Sequence, residues 1–179
     1  MIKKSLIVAS LLLATSSVLA DNTFIGLDLG KSKGTATVSY QGYSKTSSGD
    51  KTSSFSLKAG KIYSDHRIYG KYTDVDEDDG SSTALTGHYD KFLSTDGKVK
   101  PFIGGAFGYV SIKADDNSYD ISGLTYGITL GAVAEITKQA SIEIGYDYML
   151  SSASDTLDNG AKIELDKYDN LHIGINIKF

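Results

Sequence analysis

Leu171-His172-Ile173-Gly174-Ile175-Asn176-Ile177-Lys178-Phe179 alternates apolar with polar or small residues without a break and stops on an aromatic ring. Successive side chains of a strand point to opposite faces. Leu171, Ile173, Ile175, Ile177 and Phe179 therefore share an apolar face, while His172, Gly174, Asn176 and Lys178 share the other. One face suits lipid and the other a polar interior. The last strand of a soluble sandwich would also alternate, yet it has no need of Phe at the terminal carboxylate.

The opposite end has a different pattern. Lys3 and Lys4 precede the apolar run Leu6-Ile7-Val8-Ala9-Ser10-Leu11-Leu12-Leu13-Ala14, and Val18 and Ala20 supply small residues before Asp21. This is the pattern of a secretory signal peptide over residues 1–20, too short to span a bilayer as a helix. Cleavage is expected before Asp21, leaving one domain over 21–179. Removing Lys3 and Lys4 from the 18 basic residues leaves 16 against 22 acidic ones, a net charge of −6. No Cys occurs, so the exported chain uses no disulfide. After residue 20 no stretch of about 18 apolar residues exists, which rules out a helical membrane protein. A closed β-barrel is the remaining way to cross a bilayer, because its strands satisfy one another's backbone groups.

Eight segments read as strands: 23–31, 53–62, 67–74, 83–92, 99–113, 120–136, 140–151 and 163–179. Short connections at 63–66, 93–98 and 137–139 alternate with long ones at 32–52, 75–82, 114–119 and 152–162. The expected fold is all-β, an eight-stranded antiparallel up-and-down transmembrane β-barrel. Short turns would face the periplasm together with both termini, and four longer loops would face outward. Period-2 faces agree: Ile103, Phe107 and Tyr109 oppose Phe102, Ala106 and Val110, and Ile142, Ile144, Tyr146 and Tyr148 oppose Glu143, Gly145 and Asp147. Tyr109, Tyr126, Tyr146 and Tyr148 are the expected aromatic girdle toward the extracellular ends, with Phe179 at the other rim.

The passage Lys100-Pro101-Phe102-Ile103-Gly104-Gly105-Ala106-Phe107-Gly108-Tyr109 resembles the fifth strand of the small eight-stranded outer-membrane barrels, the OmpX-like, opacity-type and OmpA transmembrane-barrel group. The last strand resembles their C-terminal strand. That resemblance implies recognition of Leu171, Ile173, Ile175, Ile177 and Phe179 by the barrel assembly machinery, and residence in the outer membrane among lipid and lipopolysaccharide. The OmpA pattern continues into a peptidoglycan-binding domain, whereas here the sequence stops at Phe179. A cell-wall tether is not expected.

Projecting the alternation inward gives Asp28, Lys58, Arg67, Lys71, Asp90, Glu135, Glu143, Asp147, His172 and Lys178 as lumen candidates. Eight strands leave a bore just wide enough for side chains to fill, so these charges are expected to pair across it. The inward glycines Gly26, Gly30, Gly104, Gly108, Gly127, Gly131, Gly145 and Gly174 would make room for them. A charged constriction serving as a narrow, porin-like conduit is the alternative. Lipid A deacylases and palmitoyl transferases also use eight strands. The deacylase pattern sets His and Ser two apart on a strand and facing lipid, and His66, His88 and His172 do not read that way, so no catalytic residue is expected.

The acidic run Asp74-Val75-Asp76-Glu77-Asp78-Asp79-Gly80 fails the EF-hand test, since the sixth and twelfth places hold Asp79 and Leu85. It reads as a solvated loop tip, with no metal or other cofactor expected. Lys31, Lys33, Lys45 and Lys51 give the first outer loop a basic character suited to anionic lipopolysaccharide or a partner surface, or else to a polar loop or extended hairpin. A negatively charged exported chain lacks the electrostatic footprint of a nucleic-acid binder. The expectation is a monomeric, non-catalytic barrel whose loops meet a host or surface ligand in adhesion, resistance or membrane integrity.

Overall fold

Alternating side chains and frequent Thr, Val, Ile and Tyr favour pleated backbone, and among the described residues the computed structural model has ten strands. It describes residues 22–77, 80–114, 120–157 and 160–179, with the side chains of 76 and 77 excepted. The expected signal peptide, the cut before Asp21 and the carboxylates of Asp76 to Asp79 lie outside the described residues. So do Asp115 and Asp116.

The strands are β1 (Thr23–Tyr40), β2 (Tyr43–Ser48), β3 (Thr52–Ile62), β4 (His66–Glu77), β5 (Gly80–Phe92), β6 (Val99–Ala114), β7 (Asp120–Glu135), β8 (Ala140–Ser151), β9 (Ser154–Thr156) and β10 (Lys162–Lys178). Eight of them, β1, β3 to β8 and β10, pair antiparallel in order around a ring. Because β1 pairs with β3 on one side and with β10 on the other, the ring closes. Closure removes the unpaired edges that hydrocarbon would not tolerate.

β2 and β9 are additions at the long-loop end. The segment expected to be a loop over 32–52 is instead mostly strand. β1 continues to Tyr40, turns at Gln41 and Gly42 with φ of 48° and 85°, and returns as β2. Two residues with positive φ make the primed type of turn that matches strand twist. Hydroxyls bridge the hairpin in three rungs, Thr35–Ser48 at 3.0 Å, Thr37–Thr46 at 2.7 Å and Ser39–Ser44 at 2.9 Å. The expected loop at 75–82 shortens likewise, because β4 runs to Glu77 and β5 begins at Gly80.

The outer wall of the ring is apolar. Leu29, Leu85, Phe107, Ile144, Leu171, Ile173 and Ile175 are each more than half exposed. In water such a surface would be a severe liability, and a lipid bilayer is the solvent that suits it. Inside, two apolar layers bracket the bore. At the short-turn end Phe92, Phe102 and Val133 pack with Ile62. At the long-loop end Ala84, Val110, Ile121, Ala153 and Leu165 pack with Ile112, Ile163 and Tyr168. Between them lies the charged middle.

Candidate functional site

Strand pleating sends every second residue inward, so positions four apart on one strand stack along the bore. Arg67 and Lys71 occupy two such positions on β4, and Glu143 and Asp147 occupy two on β8. The pairs meet across the lumen as parallel rungs. Arg67 Nη1 donates to Glu143 Oε2 at 2.6 Å and Nη2 to Oε1 at 2.9 Å, while Lys71 Nζ reaches Asp147 Oδ2 at 2.8 Å. The two-point guanidinium contact fixes geometry as well as charge.

Other strands complete the network. Lys58 Nζ on β3 lies 2.8 Å from Asp28 Oδ1 and 2.9 Å from Glu143 Oε2. Asp90 on β5 takes Arg67 Nε at 2.8 Å, the Tyr69 hydroxyl at 3.0 Å and the Thr129 hydroxyl at 2.6 Å. Asn176 Nδ2 adds a donor to Glu143 Oε2 at 3.0 Å. The His172 ring stands 3.6 to 3.9 Å from Asp28, Glu143 and Asp147. The Arg67 guanidinium carbon lies 4.4 Å from the Phe102 ring centre and 4.9 Å from that of Tyr69. Every charged member is buried. An isolated charge here would be very costly, so the contacts act as one unit.

Glycines make the space. A Cβ on Gly174 would stand 1.9 Å from Asp28 Oδ1, one on Gly104 2.2 Å from Asp90 Oδ1, and one on Gly145 2.5 Å from His172 Nε2. Side chains at those three positions would displace the carboxylates or the imidazole.

Of the lumen candidates, Asp28, Lys58, Arg67, Lys71, Asp90, Glu143, Asp147 and His172 are brought together. Glu135 and Lys178 are not. Both sit on the inward parity but at the short-turn mouth, where Glu135 pairs with Lys100 at 2.5 Å in a half-exposed setting. Alternation gives the face of a residue and not its depth. Tyr69, His88, Thr129 and Asn176 also belong to the bore, and each shares the parity of an inward charge or imidazole on its own strand, Arg67, Asp90, Glu135 and His172 respectively.

Tyr109 and Tyr126 point outward and are about half exposed, and Tyr146 and Tyr148 are partly covered on β8. The Tyr148 ring centre lies 5.7 Å from Lys167 Nζ. A second aromatic group stands at the short-turn rim: His66 stacks on Tyr63 at 4.5 Å and on Tyr89 at 5.4 Å. Beside it Asp65 contacts Lys91 and accepts from His66, and these hydrogen bonds, Lys91 first, hold its carboxyl down at about 2. Phe179 closes the β1–β10 seam, its N–H donating to Thr23 O at 2.9 Å and its carbonyl oxygen accepting from Asn22 at 3.1 Å.

A hydroxyl–imidazole contact does occur in the bore, Thr86 Oγ1 to His88 Nε2 at 2.8 Å. It borders a cavity of about 50 Å³, room for a few water molecules.

No protein-family model and no curated protein sequence matches the chain. Solved structures do. Neisserial surface protein A (NspA) superposes with a TM-score of 0.66 at 17% identity, over 89% of this chain and 98% of that one. Outer membrane protein H (OprH) from P. aeruginosa in DHPC micelles gives 0.59 at 26% identity, over 89% and 100%. The N-terminal β-barrel domain of P. aeruginosa OprF gives 0.53 at 14% identity, over 89% and 100%. A closed ring of eight strands, an apolar outer wall and these neighbours show the fold of a small eight-stranded outer-membrane β-barrel and support residence in the bacterial outer membrane.

Proposed function

We propose that this barrel is a closed, non-catalytic and non-conducting element of the outer membrane that presents its long-loop end at the cell surface for adhesion or resistance. The observation that carries the reading is the filled bore: a paired ionic layer, Lys58, Arg67 and Lys71 against Asp28, Asp90, Glu143 and Asp147, flanked by apolar clusters toward both ends. A permeating ion would have to part several coupled pairs together, each buried. In this orientation the short turns and both termini lie in the periplasm, and the β1–β2 hairpin stands outside with Lys33 and Lys45.

Planar-bilayer recording of the pure refolded barrel tests the closed bore. A silent bilayer is expected, and reproducible conductance steps that change in Asp147→Asn or Lys58→Met would replace this reading with a narrow conduit. Protease trimming of intact cells tests the surface part. Cuts confined to the long-loop end, with lost adhesion or serum survival, are expected; cuts at the short turns would reverse the orientation.

A further inference from the structure

The short-turn mouth holds a vestibule of about 570 Å³ outside the Phe92–Phe102–Val133 layer. That size is within the range of small-molecule sites. Its floor is apolar, made by Ile62, Phe92 and Val133, and its rim carries Lys100, Lys138 and Lys178 with Glu135 and Asp65. The two carboxylates are already engaged, Glu135 by Lys100 and Asp65 by Lys91 and His66. Among the described residues Lys138 and Lys178 have no ion-pair partner.

These two lysines stand on one tied frame. The Lys178 N–H donates to Gln139 O at 2.7 Å, joining the end of β10 to the turn between β7 and β8. That turn is braced from within, because Thr137 Oγ1 accepts from Gln139 N at 3.2 Å and from Ala140 N at 2.9 Å. Ser141 and Tyr63 add polar groups to the wall. An apolar floor under two spare ammonium groups is complementary to a molecule with an apolar body and one anionic head.

We infer that the short-turn vestibule is a binding site for small amphipathic carboxylates, the apolar group resting on Phe92 and Val133 and the carboxylate between Lys138 and Lys178. The site lies at the short-turn mouth, beyond the Phe92–Phe102–Val133 layer, so it needs no passage through the barrel. It stands or falls independently of the closed-bore reading.

The test uses the chain from Asp21 to Phe179, refolded into phosphatidylcholine nanodiscs, with backbone-amide NMR titration of N-acetylphenylalanine and of its uncharged amide. Heat-dependent gel mobility checks that each variant is folded. Saturable shifts at Phe92, Val133, Gln139 and Lys178 are expected with the acid, weakened about tenfold in Lys138→Gln/Lys178→Gln by loss of the charge-assisted contacts. The amide is expected to give no saturable shifts there. Equal binding of acid and amide, unchanged affinity in the folded double variant, or no saturable shift with the acid would each overturn the proposal.

Discussion

A cation–glutamate pair serves different purposes in the bore and at the rim. Arg67 and Glu143 meet in full burial, share further partners in Lys58, Asp90 and Asn176, and lean on the rings of Tyr69 and Phe102. Lys100 and Glu135 meet at a comparable distance, but Glu135 is half exposed and the pair stands outside the network. Water screens the second pair and holds its members if they separate; neither remedy exists for the first. Burial makes each inner charge dependent on all the others.

The largest effect should come from breaking the inner set on one side. Glu143→Ala removes an anion shared by Lys58 and Arg67, and a loss of about 3–5 kcal/mol is expected in urea unfolding from lipid bilayers. Next is Gly145→Val, which forces the His172 ring from its place between three carboxylates; overpacking of about 1–3 kcal/mol should appear in the same assay. Lys100→Gln at the rim is expected to cost under about 1 kcal/mol. An equal loss for Lys100→Gln and Glu143→Ala would erase the distinction between the two regions.

The smallest effect concerns acid. Asp65 is held at about 2 by Lys91 and His66, so its contribution is present above the ordinary carboxylate value and fades as pH falls toward 2. Because this carboxylate is in water, the change should be slight, and the unfolding midpoints of wild type and Asp65→Asn should draw together between about pH 4 and pH 2. Midpoints that stay apart at pH 2 would show that Asp65 acts by something other than its charge.

Much of the ring was legible because lipid and lumen impose a period of two on every strand. The alternation bounds β8 at Ala140 and Ser151, as found, and the same period on each strand turns Asp28, Arg67 and Glu143 inward. Two kinds of information were missing. Thr35 to Ser39 is polar enough to read as loop, and only its pairing with both β2 and β10 makes it strand. Depth along the axis was also hidden: Glu135 and Lys178 have the right parity and sit at the mouth, since register between distant strands sets height. Tyr69 carries no charge to mark it, and Asn176 reads only as one more polar residue on the inward face, although each completes the hydrogen bonding of a buried carboxylate.

A double-mutant cycle on Arg67→Met and Glu143→Leu, run beside one on Lys100→Met and Glu135→Leu, compares the two regions directly through coupling energies from urea unfolding. A coupling of more than about 1.5 kcal/mol is expected in the bore and less than about 1 kcal/mol at the rim. A bore coupling no larger than the rim coupling would contradict the claim that the charged middle is a single closed core.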